Sequence, residues 1–326
     1  MKVLVTGGGG FLGSYLVQQL LQRGDQVSVL GRGDYPELRA SGVEVLRADL
    51  AEKEKIVSAC AGKEIVFHVG AKAGFWGRYS DYYQTNVVGT QNVLDGCLKH
   101  QIRKLVYTSS PSIVFEGNPL ENVDESIPYA KHPLTAYQKT KAEAERRVLS
   151  ANGKEGLMTT ALRPHLIWGP RDNHIIPRII ERAKAGKLKM IGSGKNKVSH
   201  IYVENAAFAH IQASESKNVG GKAYFIAQKE PVLAWEWINE ILRGIGVPPI
   251  EKKISLGVAL AMSFVFEKCF KVLPGEPPMT RFLAFQLAEH HYFSIERARQ
   301  DFGYEPKVSY EEGMRRLIQY YKEHSY

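Results

Sequence analysis

Cysteine is scarce in this chain, and the three present, Cys60, Cys97 and Cys269, are scattered without short spacing. They form neither a zinc pattern nor a redox pair and read as small apolar residues in a reducing compartment. The ten histidines include no H-x-x-x-H pair, so the catalysis expected is metal-free. No G-x-S-x-G turn occurs, which sets serine hydrolysis aside. Long apolar runs are missing too. The most extended, 254–266, stops at Glu267 and Lys268, short of the roughly 20 residues a bilayer span needs. It predicts a buried or pocket-covering helix. The flanking Lys252, Lys253, Lys268 and Lys271 keep a peripheral contact with one membrane leaflet as the alternative. From Met1 the chain runs directly into a glycine turn, leaving no room for an export signal. The expected location is the cytoplasm.

Acidic residues are outnumbered, 34 against 43 Lys and Arg, for a net charge of +9. Part of the surplus gathers at Arg178, Arg182, Lys184, Lys187, Lys189, Lys195 and Lys197. Such a field favours anionic small molecules or surfaces. No base-stacking motif accompanies it, so no nucleic-acid partner is expected. With 326 residues, 44% hydrophobic and 24% charged, the chain can fold throughout, as one large unit or two modest domains.

In the first half, short β-branched runs alternate with longer helical patterns. Strands are predicted at 2–6, 26–30, 43–47, 64–68, 104–108 and 158–162, with helices at 11–23, 53–61, 79–100 and 135–151. That order gives an α/β fold, a Rossmann-type doubly wound parallel sheet whose ligand crevice lies at the carboxyl ends of its strands. Residues 1–170 are read as the dinucleotide-binding domain and 171–326 as a smaller α/β substrate lobe. Within that lobe, helices are predicted near 175–185, 204–216, 234–244 and 310–323, and segments 200–203 and 223–227 are candidates to return to the first sheet.

Thr6-Gly7-Gly8-Gly9-Gly10-Phe11-Leu12-Gly13 follows the first strand and opens the first helix. Glycines at 7, 10 and 13 suit a tight turn, close approach to a pyrophosphate and close helix–strand packing, and the helix N-terminus offers free N–H groups to phosphate. Phe11 and Leu12 fall within this contact segment. The second strand ends at Gly31-Arg32, where an NAD-selecting enzyme places an acid for the ribose 2′-hydroxyl. Arg32 suits a 2′-phosphate instead, so NADP(H) is the preferred cofactor, with NAD(H) kept as the alternative through Asp34. Asp49, followed by Leu50 after the third strand, is placed for the adenine amino group.

In Thr135-Ala136-Tyr137-Gln138-Lys139-Thr140-Lys141 a phenol and an ammonium stand at i and i+4 on one helix face. A free tyrosine is a poor base at neutral pH. A lysine one turn away and an oxidised nicotinamide lower its pKa, so Tyr137 can exchange a proton while hydride moves. Lys141 is also expected to hold the nicotinamide ribose. Between glycine turn and helix lies the hydroxyl-rich strand end Thr108-Ser109-Ser110-Pro111-Ser112. Thr108 is assigned to the cofactor and Ser110 to orienting the substrate oxygen. Ser109 and Ser112 are alternatives that could equally cap a turn.

These signals together resemble the extended short-chain dehydrogenase/reductase superfamily, along nearly the whole chain. Further matching segments are Val66-Phe67-His68-Val69-Gly70-Ala71, Asn86-Val87-Val88-Gly89-Thr90-Gln91-Asn92 and Leu162-Arg163-Pro164. The resemblance implies that Val69, Gly70 and Ala71 line the dinucleotide, that Asn86 braces the active site, and that Pro164 lies by the nicotinamide. Thr108 to Gly117, Val198 to Asn205, and Pro277-Pro278-Met279-Thr280-Arg281 are most similar to the 3β-hydroxysteroid dehydrogenase branch. That branch includes sterol-4α-carboxylate 3-dehydrogenases and bacterial 2-alkyl-3-oxoalkanoate reductases. The latter are suggested most by Ala71-Lys72-Ala73-Gly74-Phe75-Trp76-Gly77. The missing acid at Gly31 fits a reductive, NADPH-fed member best. Relatives of this kind also imply a homodimer paired through the helices at 79–100 and 135–151.

The expected reaction interconverts a ketone and a secondary alcohol on a hydrophobic small molecule, such as a β-keto acid or a sterol, with a carboxylate as a compatible feature. Phe75, Trp76, Ser112, His165 and Trp168 are candidate substrate contacts, with Phe115 closer to a packing role. Nucleotide-sugar epimerases share the cofactor half and are the enzymatic rival. They tend to carry Asn where this chain has Leu166, four residues before Pro170. A non-catalytic dinucleotide sensor or assembly protein is the second rival, disfavoured by retention of Tyr137, Lys141 and Ser110.

Overall fold

The computed structural model describes residues 1–324. Its centre is a seven-stranded parallel sheet built from β1 (Lys2–Thr6), β2 (Gln26–Gly31), β3 (Glu44–Arg47), β4 (Ile65–His68), β5 (Lys104–Thr108), β6 (Met158–Pro164) and β7 (Lys222–Ile226). The spatial order is β7-β6-β5-β4-β1-β2-β3. Strands such as Val3-Leu4-Val5 and Val27-Ser28-Val29-Leu30 are buried on both faces, as parallel strands covered by crossover helices must be. Phe11–Gln22 and Val203–Glu215 cover one face, and Gly89–Lys99 and Ala136–Ser150 the other. Val5 pairs with both Val29 and Phe67. β1 thus stands between strands reached by opposite crossovers, and the cleft above its carboxyl end is the switch point at which such sheets bind ligand.

The remaining chain interleaves with this sheet. β7 lies beside β6, in register from Lys222 with Thr160 to Ile226 with Pro164. The segment expected to return at 200–203 does not reach the large sheet. Ile201–Tyr202 pairs instead with Ile167–Trp168 as a separate ribbon, because Val203 already begins the helix packed on Phe11–Gln22. In the other direction, Leu120–Val123 crosses over to join His291–Phe293, Lys197–Val198 and Val232–Leu233 in a small mixed sheet. That exchange ties the upper wall of the cleft to the large sheet.

Two helices differ from the simplest expectation. The pattern at 79–100 is continuous, but Tyr83–Val88 is wound as a π-helix between α-helical turns, a widening often found where a side chain must be re-aimed at a site. The apolar run after residue 254 forms the helix Leu256–Cys269, in which only Ala259 and Ser263 are buried. Its outward side is exposed, contrary to a buried helix. Among the described residues, no helix is long and apolar enough to cross a membrane.

Candidate active site

The glycine turn is as tight as its sequence demands. Gly7 adopts φ +71°, and a Cβ there would stand 2.6 Å from the Gly70 Cα. At Gly13 a Cβ would come within 2.1 Å of the Gly7 carbonyl oxygen. Each added side chain would meet backbone, so β1, β4 and the first helix could not keep their separation. The helix starts after Gly10 with no side-chain cap, leaving its first N–H groups for an anion. Val69 and Gly70 both donate backbone N–H to the Thr6 carbonyl, so the segment before Ala71 is fixed against the turn. Leu50 is buried at the neighbouring edge. These features fit a dinucleotide pyrophosphate.

Beyond the ends of β2 and β3, the Arg32 side chain is largely exposed, with its guanidinium 4.0 Å from the Asp49 carboxylate. Asp49 accepts from the Ala51 N–H at 3.0 Å, and Asp34 is held by Arg39 at 3.2 Å. A residue that the sequence did not single out lies in this strip. Tyr35, at φ +50°, turns its ring onto Gly9, Gly31 and Gly33, so that a Cβ on any of the three would overlap it.

On the other side of the turn, Thr135 caps the helix Ala136–Ser150 in a full capping box. Its Oγ1 accepts from the Gln138 N–H at 3.1 Å, and Gln138 Oε1 accepts from the Thr135 N–H at 3.0 Å. Gln138 Nε2 then donates to the carbonyls of Ser112 and Phe115, each at 2.7 Å. One fully buried amide therefore fastens the helix bearing Tyr137 to the turn bearing Ser110. Thr135-x-x-Gln138 was readable as a capping box; its reach to the serine turn was not. Gln138→Ala is expected to lower kcat about tenfold or more, as misplacement of a catalytic pair does, with a loss of about 1 kcal/mol from the cap. Steady-state kinetics and urea unfolding separate the two effects, and a stability loss with unchanged kcat would refute the positioning role.

Tyr137 packs edge-on to Tyr82 at 6.5 Å between ring centroids. Burial raises its phenol pKa, while the hydrogen bond with Ser110 lowers it. The Ser110 hydroxyl also meets the Ser112 hydroxyl at 2.9 Å and accepts from the Ser112 N–H at 3.2 Å, so Ser112 supports Ser110. Lys141 is 2% exposed and donates from Nζ to the Thr108 carbonyl at 2.6 Å, over the Tyr107 ring. Burial pushes its pKa down to about 7, with Glu145 acting in the opposite sense. Beneath it, His68 bridges Thr6 and Thr90 through its two ring nitrogens. Burial and the Lys141 charge take that imidazole down to about 3, so it stays neutral.

Asn86 sits on the π-helical turn and reaches two elements at once. Its Nδ2 donates to the Lys72 carbonyl at 3.0 Å and to Thr140 Oγ1 at 3.1 Å, and its Oδ1 accepts from the Lys72 N–H at 2.8 Å. The loop after Ala71 is thereby locked to the residue beside Lys141. Tyr82 OH extends the brace by donating to the Trp76 carbonyl at 2.9 Å.

Phe75 and Trp76 line a cavity of about 260 Å³ with Leu134, Phe264, Lys268 and Arg281. Phe282 touches both Phe75 and Phe115, continuing the aromatic wall to His291. An open groove of about 510 Å³ along the β3 edge, bounded by Glu44, Arg47 and Lys63 among others, contains none of these residues. His165 shares a 2.7 Å hydrogen bond with His291, which also bonds the Gln286 carbonyl. Burial holds both rings well below the ordinary imidazole range, so His165 enters the wall as a neutral ring rather than a cation for a carboxylate. Trp168 does not join the cleft. It is fully buried, donates to His200 at 2.9 Å and packs on Tyr202, Trp237 and Tyr310, which makes it a core residue of the C-terminal part. Pro164, at the end of β6, is buried beside Ile226. Leu166 adopts φ +47°, a conformation in which Asn is favoured over Leu.

A family model described as the 3-beta hydroxysteroid dehydrogenase/isomerase family matches residues 4–257. The chain is 48% identical over 325 residues to a 2-alkyl-3-oxoalkanoate reductase of Stenotrophomonas maltophilia, covering 97% of this chain and 98% of that protein. It is 37% identical to the decarboxylating sterol-4-alpha-carboxylate 3-dehydrogenase of Homo sapiens, covering 98% and 88%. Among solved structures, a UDP-glucuronic acid 4-epimerase from Bacillus cereus in complex with NAD superposes with a TM-score of 0.79 over the full length of both chains, at 22% identity. At that identity the likeness concerns the fold.

Proposed function

The chain belongs to the 3-beta hydroxysteroid dehydrogenase/isomerase family, and we propose that within it this oxidoreductase reduces the ketone of an apolar β-keto acid of the 2-alkyl-3-oxoalkanoate type. The observation that carries this reading is the half-buried Tyr137 beside Ser110, next to an aromatic cavity with cationic side chains on its wall. A bound nicotinamide supplies the hydride that the carbonyl carbon gains. The carbonyl oxygen gains a proton from the Tyr137 hydroxyl, so the ketone becomes a secondary alcohol and the phenolate is reprotonated from solvent. Ser110 donates to the same oxygen and stabilises its developing charge. Lys141 stabilises the transient phenolate and binds ribose, while Asn86 and Gln138 position the two halves of the site. Lys268 and Lys271 favour a carboxylate in the cavity, where Arg281 is already paired with Glu267, and Phe75, Trp76 and Phe264 favour an alkyl chain.

Because burial raises the Tyr137 phenol, it stays protonated through neutral pH. That is the form needed to give a proton, and it supports the reductive direction. NADPH consumption with 2-alkyl-3-oxoalkanoates, set against 3β-hydroxysteroids with NADP+, tests the reading; faster steroid oxidation would overturn it.

Arg32, exposed at the end of β2 where no acid stands, supports NADP(H) over NAD(H). Arg32→Ala should weaken NADPH binding about tenfold, the scale of one charge-assisted contact, and leave NADH binding nearly unchanged. Fluorescence titration measures both, and tighter NADH binding by the wild type would overturn the preference.

Lys141 gives a pH signature in the ligand-free protein. Its folded-state pKa of about 7 lies below the unfolded value of about 10.4, so between those limits the unfolded chain binds more protons and stability rises with pH. Below about pH 7 the cost of burying the ammonium is fully present. Lys141→Met should therefore raise the melting temperature most near pH 7, with the gain shrinking towards pH 10. Scanning calorimetry at the two pH values checks this, and a constant difference would refute it.

A further inference from the structure

The helix Leu256–Cys269 is inverted relative to an ordinary surface helix. Its protein-facing side carries the buried Ser263 and the Glu267 carboxylate, which bonds the Arg281 N–H at 2.7 Å and its guanidinium at 2.8 Å. Its solvent side is apolar: Val258, Met262 and Val265 are 51%, 40% and 55% exposed. They follow one another at i, i+4 and i+7 and so share one face, which Ala261 and Cys269 continue without a charge. Just past the helix, Val272 is 87% and Leu273 53% exposed. Amphipathic helices bury this stripe, and a contiguous exposed apolar patch of this kind marks an interaction surface.

Charge tells what covers it. Exposed Lys268 and Lys271 stand at the C-terminal end of the stripe and exposed Lys252 and Lys253 before its N-terminal end. Lys253 pairs with Met190 in a two-stranded ribbon that brings exposed Lys189 to the same end. The basic segment near 180 reaches the loop after the helix as well, through Arg178 to Glu276 and Arg182 to the Pro278 carbonyl. A second copy of the chain docking by two-fold symmetry would set these lysines against their own copies. We propose that this face docks on an anionic phospholipid bilayer, with the apolar stripe in the interface and the lysines on the headgroups. The helix lies on the membrane and does not span it. Phe264 and Lys268 also line the 260 Å³ cavity, so, resting on the reaction proposed above, an apolar acid dissolved in the lipid lies close to the site.

Co-sedimentation of the full chain with phosphatidylcholine vesicles, with and without phosphatidylglycerol, tests the surface without substrate or cofactor, so its outcome is separate from that of the reductase assay. The protein should pellet with the phosphatidylglycerol vesicles and be released by salt, which screens headgroup attraction. Met262→Glu with Val265→Glu should weaken binding about tenfold or more, with an unchanged melting temperature. Lys252→Glu with Lys253→Glu, outside the helix, tests the charge contribution should the first pair disturb folding, and should also reduce pelleting. Failure to pellet, equal binding to neutral vesicles, or unaltered binding by both pairs of variants would overturn the proposal. So would a wild-type dimer that the Glu pair converts to a monomer.

Discussion

Tyr137→Phe should fold and bind NADPH like the parent and reduce its ketone at least about a hundredfold more slowly, the lower range for losing a general acid. The change deletes one oxygen and keeps the ring that packs on Tyr82. The helix cap at Thr135 and the Gln138 anchor are also untouched, so stability has no reason to fall. What disappears is the hydroxyl whose pKa the Ser110 side chain lowers and which, in the proposed reaction, supplies the proton. Ser110→Ala, which removes the second donor, should cost about 10²–10³ in kcat by analogy with other oxyanion donors. The double variant should lose less than the product of the two, because the groups act on one oxygen. With the phenol raised by burial, wild-type reduction should hold through neutral pH and fall only as Tyr137 ionises in the alkaline range. Stopped-flow NADPH oxidation across pH measures this, and a Tyr137→Phe enzyme with wild-type turnover would remove the catalytic assignment.

Glu145→Ala should lower the free energy of unfolding by about 3–5 kcal/mol, the cost of leaving one member of a buried ion pair alone. Glu145, one turn beyond Lys141, is fully buried. Its Oε2 accepts from Arg163 Nε at 3.0 Å, and its Oε1 from Arg163 Nη2 at 2.5 Å and from Tyr129 OH at 2.8 Å. Arg163 is 5% exposed and lies against Phe225, so bulk solvent has little access to take the carboxylate's place. Set against a typical total of 5–15 kcal/mol, such a loss is a large fraction. Glu145→Gln retains acceptors for part of the network and should cost less. Glu145→Leu combined with Arg163→Met should recover much of the loss, since an apolar replacement leaves no unpaired charge. Urea titration with an unchanged m-value measures each step, and a Glu145→Ala midpoint equal to the parent's would contradict the account. The pair also joins the Lys141 helix to the strand ending at Pro164, so the same variants report on how firmly the two sides of the cleft are held.

Much of the fold was legible because its signals are local. Alternating apolar runs set the first six strands, and glycines at 7, 10 and 13 set the turn, since steric exclusion by a Cβ acts over neighbouring residues. The i,i+4 relation of Tyr137 and Lys141 follows from helix geometry once a helix is assumed. Other features were decided by long-range packing. Segment 201–202 could extend any sheet, and only the helix beginning at Val203 kept it from the large one. Trp168 looked like a cleft aromatic, but the ribbon with Ile201–Tyr202 turns it into the core. The Thr135-x-x-Gln138 spacing is local and suits a cap, while the hold of Gln138 on the serine turn depends on two carbonyls more than twenty residues upstream. The pKa of Lys141 likewise depends on burial, which sequence does not contain.

The apolar run after residue 254 shows the division most clearly. Its length, determined by sequence, excluded a membrane span. Which side of the helix faces the protein was decided by the tertiary structure, because Glu267 is drawn inward to Arg281 and the aliphatic side is left in water. The candidate site divides in the same way. Sequence determined the groups, a phenol and an ammonium on one helix and a serine hydroxyl on a separate segment of a dinucleotide-binding fold. Only the tertiary structure brought them together, through the Gln138 and Asn86 amides, because hydrogen bonds between distant segments form once the sheet has set their spacing.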